Sequence, residues 1–166
     1  MKKDFHIDMS NRIYKKKTIG IACVSADKKE HIGCALKGNL IKKIEAELYT
    51  SKVDEESAKL YAVCIYFLIN NRLKDIETLI ICLDEKFDYV KKFLVKLLGA
   101  DSSRINIISI IELRKKIGKK IGSLADNMAE CYRKRALKPT RWEDGKNLNI
   151  VEVDYSMIEE QWERLK

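Results

Sequence analysis

The sequence predicts an α/β protein with a mixed five-stranded sheet: antiparallel strands come first, parallel strands later, and helices flank the sheet to make three layers. Three observations lead there. Residues 18–25 (TIGIACVS) and 31–36 (HIGCAL) are β-branched, strand-like runs on either side of Asp27-Lys28-Lys29-Glu30, a turn-forming stretch, so 18–36 reads as a hairpin. Residues 78–83 (TLIICL) are a continuous apolar run, as expected of a strand covered on both faces, and 105–111 (INIISII) reads as another apolar strand. Helical stretches separate those runs, and parallel strands need such crossovers.

Taken in order, residues 4–9 are the first strand. Phe5, Ile7 and Met9 face one way, and His6, Asp8 and Ser10 the other. Residues 11–17 form a polar, basic connection to the hairpin. Gly38-Asn39 reads as a turn or bulge, after which Ile44, Ala46 and Leu48 alternate with Glu45 and Glu47, so strand pairing is expected to continue to about Tyr49. An alternative register starts the fold at Thr18 and puts Ala22 or Cys23 where the first strand's aspartate would stand.

A helix begins near Ser51, with Asp54, Glu55 and Glu56 in its first turn, where the helix dipole favours negative charge. It is apolar almost all round from Ala58 to Ile69, as in a helix buried on several sides, and Asn70-Asn71 ends it. The next helix, 87–98, carries the stripe Phe87, Val90, Leu94, Leu97 and Leu98, with Gly99 as its C-terminal cap. The last long helical stretch runs to about Leu137 before Pro139. Its stripe is Leu113, Ile117, Ile121, Leu124 and Met128, with Gly118 and Gly122 as candidate breaks. The tail holds an apolar patch at Leu148, Ile150, Val151 and Val153 whose alternation slips by one residue, then a short amphipathic stretch. Residues 1–138 are therefore expected to form one domain, with 139–166 a tail packed on it.

The chain has 166 residues, 33 basic and 25 acidic side chains and a net charge of +8, a balance that favours a polyanionic partner. No stretch is long and uncharged enough to span a membrane, and no signal peptide is visible at the N-terminus. The five cysteines stand singly, with no Cys-x-x-Cys pair, as expected of reduced thiols in a cytoplasmic protein.

Two aspartates stand out beside apolar strands. Asp8 lies within the first, although aspartate is depleted in strands, and Asp84 directly follows the run 78–83. Ligands of open α/β sheets sit beyond the carboxyl ends of parallel strands, which is where Asp84 falls. On their own, these residues read equally as a solvated edge and a helix cap. Asp126 is expected on the side of its helix opposite Leu124 and Met128.

Together these patterns resemble the ribonuclease H superfamily over residues 4–137. Ile7-Asp8-Met9-Ser10 resembles the family's first-strand Asp-Gly-Ser, with Met9 where glycine is usual. The 18–36 hairpin resembles its second and third strands, Leu83-Asp84-Glu85-Lys86-Phe87 the Thr-Asp-Ser that ends its fourth, and Ala125-Asp126-Asn127-Met128-Ala129 the Ala-Asp-x-x-Ala of its final catalytic helix. The family also has a glutamate in the first long helix. Here Lys59 takes the aligned place, and Glu56, one turn earlier, is the candidate, with Glu55 beside it.

The resemblance implies a nuclease in which Asp8, Glu56, Asp84 and Asp126 bind two Mg²⁺ or Mn²⁺ ions about 3.5–4 Å apart for phosphodiester hydrolysis. Asp8 would bridge the ions, with Glu56 and Asp84 on one side and Asp126 on the other. The implied substrates are an RNA/DNA hybrid or single-stranded DNA or RNA. The alternative is a module of the same fold that binds nucleic acid or protein without catalysis. The family's frequent histidine before the final helix has no counterpart, since the only histidines are His6 and His31. Lys15-Lys16-Lys17, Lys115-Lys116 and Lys119-Lys120 are candidates to neutralise phosphates.

Overall fold

A computed structural model describes residues 1–82, 85–138 and 147–166. Its five strands are β1 (Lys3–Met9), β2 (Ile19–Ser25), β3 (His31–Leu36), β4 (Ile76–Ile81) and β5 (Asn106–Ser109). They form one mixed sheet in the order β3-β2-β1-β4-β5. β1 pairs antiparallel with β2 and β2 with β3, whereas β4 lies parallel to β1 and β5 parallel to β4. β1 is thus the central strand, and the alternative register starting at Thr18 is excluded. The pairing puts Asp8 opposite Ala22 and Ile7 opposite Ile81, and the Cys82 N–H donates to the Ile7 carbonyl at 3.0 Å.

Among the described residues, six α-helices flank the sheet: α1 (Gly38–Leu48), α2 (Val53–Ile69), α3 (Phe87–Leu98), α4 (Ile110–Ile117), α5 (Asp126–Leu137) and α6 (Tyr155–Arg164). Strand alternation sends Phe5, Ile7 and Met9 to one face, where they join the main core with residues of α1, α2, α3 and α6. His6 and Asp8 point to the other. There, two smaller apolar clusters lie on either side of β1. One joins Ala22 and Val24 to Ala125, Ala129 and Tyr132, and the other joins Ile80, Cys82 and Ile108 to Ile110. The helix α2 is buried nearly all round, from Leu60 and Tyr61 to Leu68 and Ile69, as its composition requires. Gly99 caps α3 with a φ of 60°.

Three expectations are corrected. Residues 38–48 are the helix α1 and do not extend β3. The buried side chains there are Ile41 and Ile44, and Ala46 is exposed, so the apparent alternation rested on a residue that packs against nothing. The run 105–111 stops being strand at Ser109. That side chain accepts from the Glu112 N–H at 3.1 Å in a capping box, which opens α4. The stripe Leu113, Ile117, Ile121, Leu124 and Met128 does not line one core-facing helix. Gly118, one of the two candidate breaks, does end α4, with a φ of 66°; Ile117 is exposed, and the buried residues of α5 are Ala129 and Tyr132.

Small residues face the sheet because α5 approaches it closely. A Cβ on Gly20 would collide with the Ala129 carbonyl oxygen, and one on Gly33 with the Tyr132 ring. The apolar patch of the tail makes a single bridge to β3, between Gly33 and Ile150. The α6 residues Ile158 and Trp162 then enter the main core. The five cysteines are free thiols, and no described helix is long and apolar enough to cross a membrane.

Candidate active site

Asp8 stands near the carboxyl end of the central strand and is only 6% exposed. One of its oxygens accepts the Met9 N–H at 2.8 Å. Burial of a carboxylate is costly without hydrogen bonds or cations to offset it, so this position is not the solvated edge that a lone aspartate in a strand suggests. His6, two residues earlier on the same face, is 4% exposed, and its Nδ1 has no hydrogen-bond partner among the described residues. Burial pushes its pKa below the usual histidine value, against an opposing pull from Asp4, so the ring is neutral at neutral pH.

Asp126 opens α5 on that same face of the sheet. The preceding residue, Ala125, packs with Ala22, the register partner of Asp8, and Asp126 itself is exposed. Asp84 lies outside the described residues. It follows Cys82 by two positions in the chain, and Cys82 continues β4 alongside Asp8.

Glu56 is engaged elsewhere. It is 1% exposed, forms an ion pair with Lys59 at 2.9 Å and accepts the Thr50 N–H at 3.1 Å. The Lys59 ammonium in turn sits 4.8 Å from the Trp162 ring centroid and 5.2 Å from that of Phe93. Lys59 thus holds the glutamate one turn earlier on its own helix. Glu55 accepts a long bond from the Ser51 hydroxyl at 3.4 Å. Among the described residues, no three histidine, cysteine, aspartate or glutamate side chains are grouped to hold a metal ion.

A cleft of about 470 Å³ opens where the chain leaves β1 and β4 and enters α2. Arg12 and Tyr14 form one wall, Val53, Asp54 and Ser57 the second, and Glu85, Lys86 and Phe87 the third. Its volume lies within the range of about 300–1,000 Å³ common for ligand pockets. The Glu85 carboxylate accepts the Ile13 N–H at 3.2 Å, which fastens the first wall to the third. Lys86 and Asp54 pair at 2.8 Å across the cleft. That hydrogen bond holds the Asp54 carboxyl below its usual pKa and raises that of the ammonium.

Sequence reasoning passed over Arg12 and Tyr14 as part of a polar connection. The signal that could have found them is an aromatic residue among basic ones, just downstream of a strand carrying a buried aspartate. Comparison with protein-family models, curated proteins and solved structures finds no match to this chain.

Proposed function

We propose that the protein is a divalent-metal-dependent nuclease with a ribonuclease H-like fold, and that Asp8, Asp84 and Asp126 carry its chemistry. The observation that carries this reading is the position of Asp8: a buried carboxylate near the carboxyl end of the central strand of a β3-β2-β1-β4-β5 sheet. Two features agree with it. The helix that starts at Asp126 packs against the strand next to Asp8, and the chain carries a charge of +8, suited to a polyanion.

The carboxylates fit hard cations such as Mg²⁺ or Mn²⁺ through their oxygen donors. Asp8 and Asp126, with Asp84 two positions after Cys82 in the chain, would hold them. Bound there, the ions would supply an activated water and stabilise the leaving oxygen of a phosphodiester. Asp8 would serve as the fixed ligand, since its burial on a central strand restricts its movement. Glu56 would serve to hold α2, through Lys59 and Thr50.

A second reading, a binding module of the same fold without catalysis, is favoured by one observation, the Glu56–Lys59 ion pair, because it occupies a carboxylate that the family's mechanism needs. Calorimetric titration with Mn²⁺ separates the two. The nuclease reading expects binding by the wild type and none by Asp8→Asn, together with Mn²⁺-dependent cleavage that Asp8→Asn abolishes. Retained cleavage in Asp8→Asn, or a wild type that binds no Mn²⁺, overturns it.

A further inference from the structure

We propose that the cleft between the 12–17 turn and the start of α3 seats one nucleotide of an unpaired strand, with its base on Tyr14 and its phosphates on Arg12, Lys15 and Lys17. The proposal takes its ligand class from the nucleic-acid reading above and adds strand state and contact residues to it.

Tyr14 is 49% exposed. It is held there by its neighbours. Ile13 is buried at 1% and donates its N–H to Glu85. Lys16 then closes the 3-10 turn in a left-handed conformation, with a φ of 54° and its N–H on the Ile13 carbonyl. One residue of the turn is thus anchored in the core while the next projects its ring over the cleft. Phe87 also lines the cleft, so its lining holds a second aromatic ring beside Tyr14.

The charge pattern agrees. Lys16 is paired with Glu45 at 3.1 Å and Lys86 with Asp54 at 2.8 Å, whereas Arg12, Lys15 and Lys17 are exposed and form no ion pair with any described carboxylate. The carboxylates in the cleft are both engaged, Asp54 by Lys86 and Glu85 by the Ile13 N–H. Three unmatched cations beside an exposed aromatic ring are the elements of single-strand recognition, in which the backbone is neutralised while bases stack without sequence preference. A paired base keeps its faces inside the duplex and cannot offer one to Tyr14.

The test is fluorescence anisotropy with a labelled oligothymidylate and a labelled hairpin duplex, in EDTA so that cleavage plays no part. The wild type is expected to bind the single strand more tightly than the duplex. Tyr14→Ala is expected to lose about tenfold in single-strand affinity, as for one base–aromatic stack, and Tyr14→Phe to restore it. Replacing Arg12, Lys15 and Lys17 by alanine is expected to flatten the dependence of affinity on salt. Equal affinity of Tyr14→Ala and wild type for the single strand, or a wild type that binds the duplex as well as the single strand, overturns the proposal. The two readings fail separately: oligonucleotide binding by Tyr14→Ala in EDTA tests only the cleft, whereas cleavage by Asp8→Asn in Mn²⁺ tests only the carboxylates.

Discussion

His6 and Asp8 are two polar side chains buried on one face of a central strand, and they carry different risks for the fold. Asp8 has the Met9 N–H as a partner. His6 leaves Nδ1 without one among the described residues, and burial lowers its pKa. A folded pKa below the unfolded value of 6.5 means that the unfolded chain binds the proton more readily. The stability contributed by the neutral ring is therefore fully present above pH 6.5 and is lost as pH falls below it. The His6→Leu variant removes both the orphan nitrogen and the titration. Urea unfolding at pH 7.5 and pH 5 is expected to show a larger fall for the wild type than for His6→Leu, and equal falls would place the ring in water in the folded state. The burial of this pair was only half legible in the sequence. Alternation assigned His6 and Asp8 to one face correctly, but it could not tell a solvated face from one covered by a distant helix, because the covering residues Ala125 and Ala129 lie more than a hundred positions away.

At the scale of elements, α5 is set by absent side chains. Gly20 and Gly33 on β2 and β3 let it approach, and Ala125 and Ala129 keep its near side thin. A search for large apolar residues selects Leu124 and Met128 and so misses the buried side by one position, since close packing of a helix on a sheet needs small residues at the crossing. The helix α1 was misread for a related reason: the spacing of Leu40, Ile41, Ile44 and Leu48 carries the helical period, while Ala46 mimics a strand. The second-half strands and α3 were legible because continuous apolar runs and a terminal glycine have few other uses. Gly20→Ala tests the close approach. Its Cβ would meet backbone atoms of Ala129 and Arg133, which cannot rotate away, so α5 must shift as a body. The expected cost is about 1–3 kcal/mol in urea unfolding. Because Asp126 rides on α5, Mn²⁺ affinity is expected to fall as well, whereas a loss of stability with unchanged Mn²⁺ affinity would detach Asp126 from the metal site.

Across the whole molecule, the end of the chain closes what the beginning opens. Residues 149–151 pair with the edge strand β3, where the Gly33 N–H donates to the Asn149 carbonyl at 3.0 Å and the Val151 N–H to the Gly33 carbonyl at 2.8 Å. The α6 helix then lays Trp162, 2% exposed, against Tyr49 with the rings stacked at 5.8 Å. The sequence marked an apolar patch and an amphipathic stretch in the tail, but the pairing with β3 and the Trp162–Tyr49 stack were not legible, because the alternation is broken and the partners are set by tertiary packing alone. The stack also reaches the candidate site, since the Tyr49 hydroxyl shares a hydrogen bond of 3.2 Å with Ser57, a residue in the cleft wall. Trp162 also covers the Lys59 ammonium that holds Glu56. Truncating it removes an aromatic face from a half-buried cation and opens a cavity beside α2. Trp162→Ala is therefore expected to cost about 3–5 kcal/mol of stability, read as a lower urea midpoint with an unchanged slope. Under conditions where the variant remains folded, its single-strand affinity is expected to fall too, because Tyr49 no longer holds Ser57 in place. Trp162→Phe keeps a ring against Tyr49 and is expected to recover most of both. If Trp162→Ala lowered the midpoint and left oligonucleotide affinity intact, the tail would support the fold without shaping the cleft.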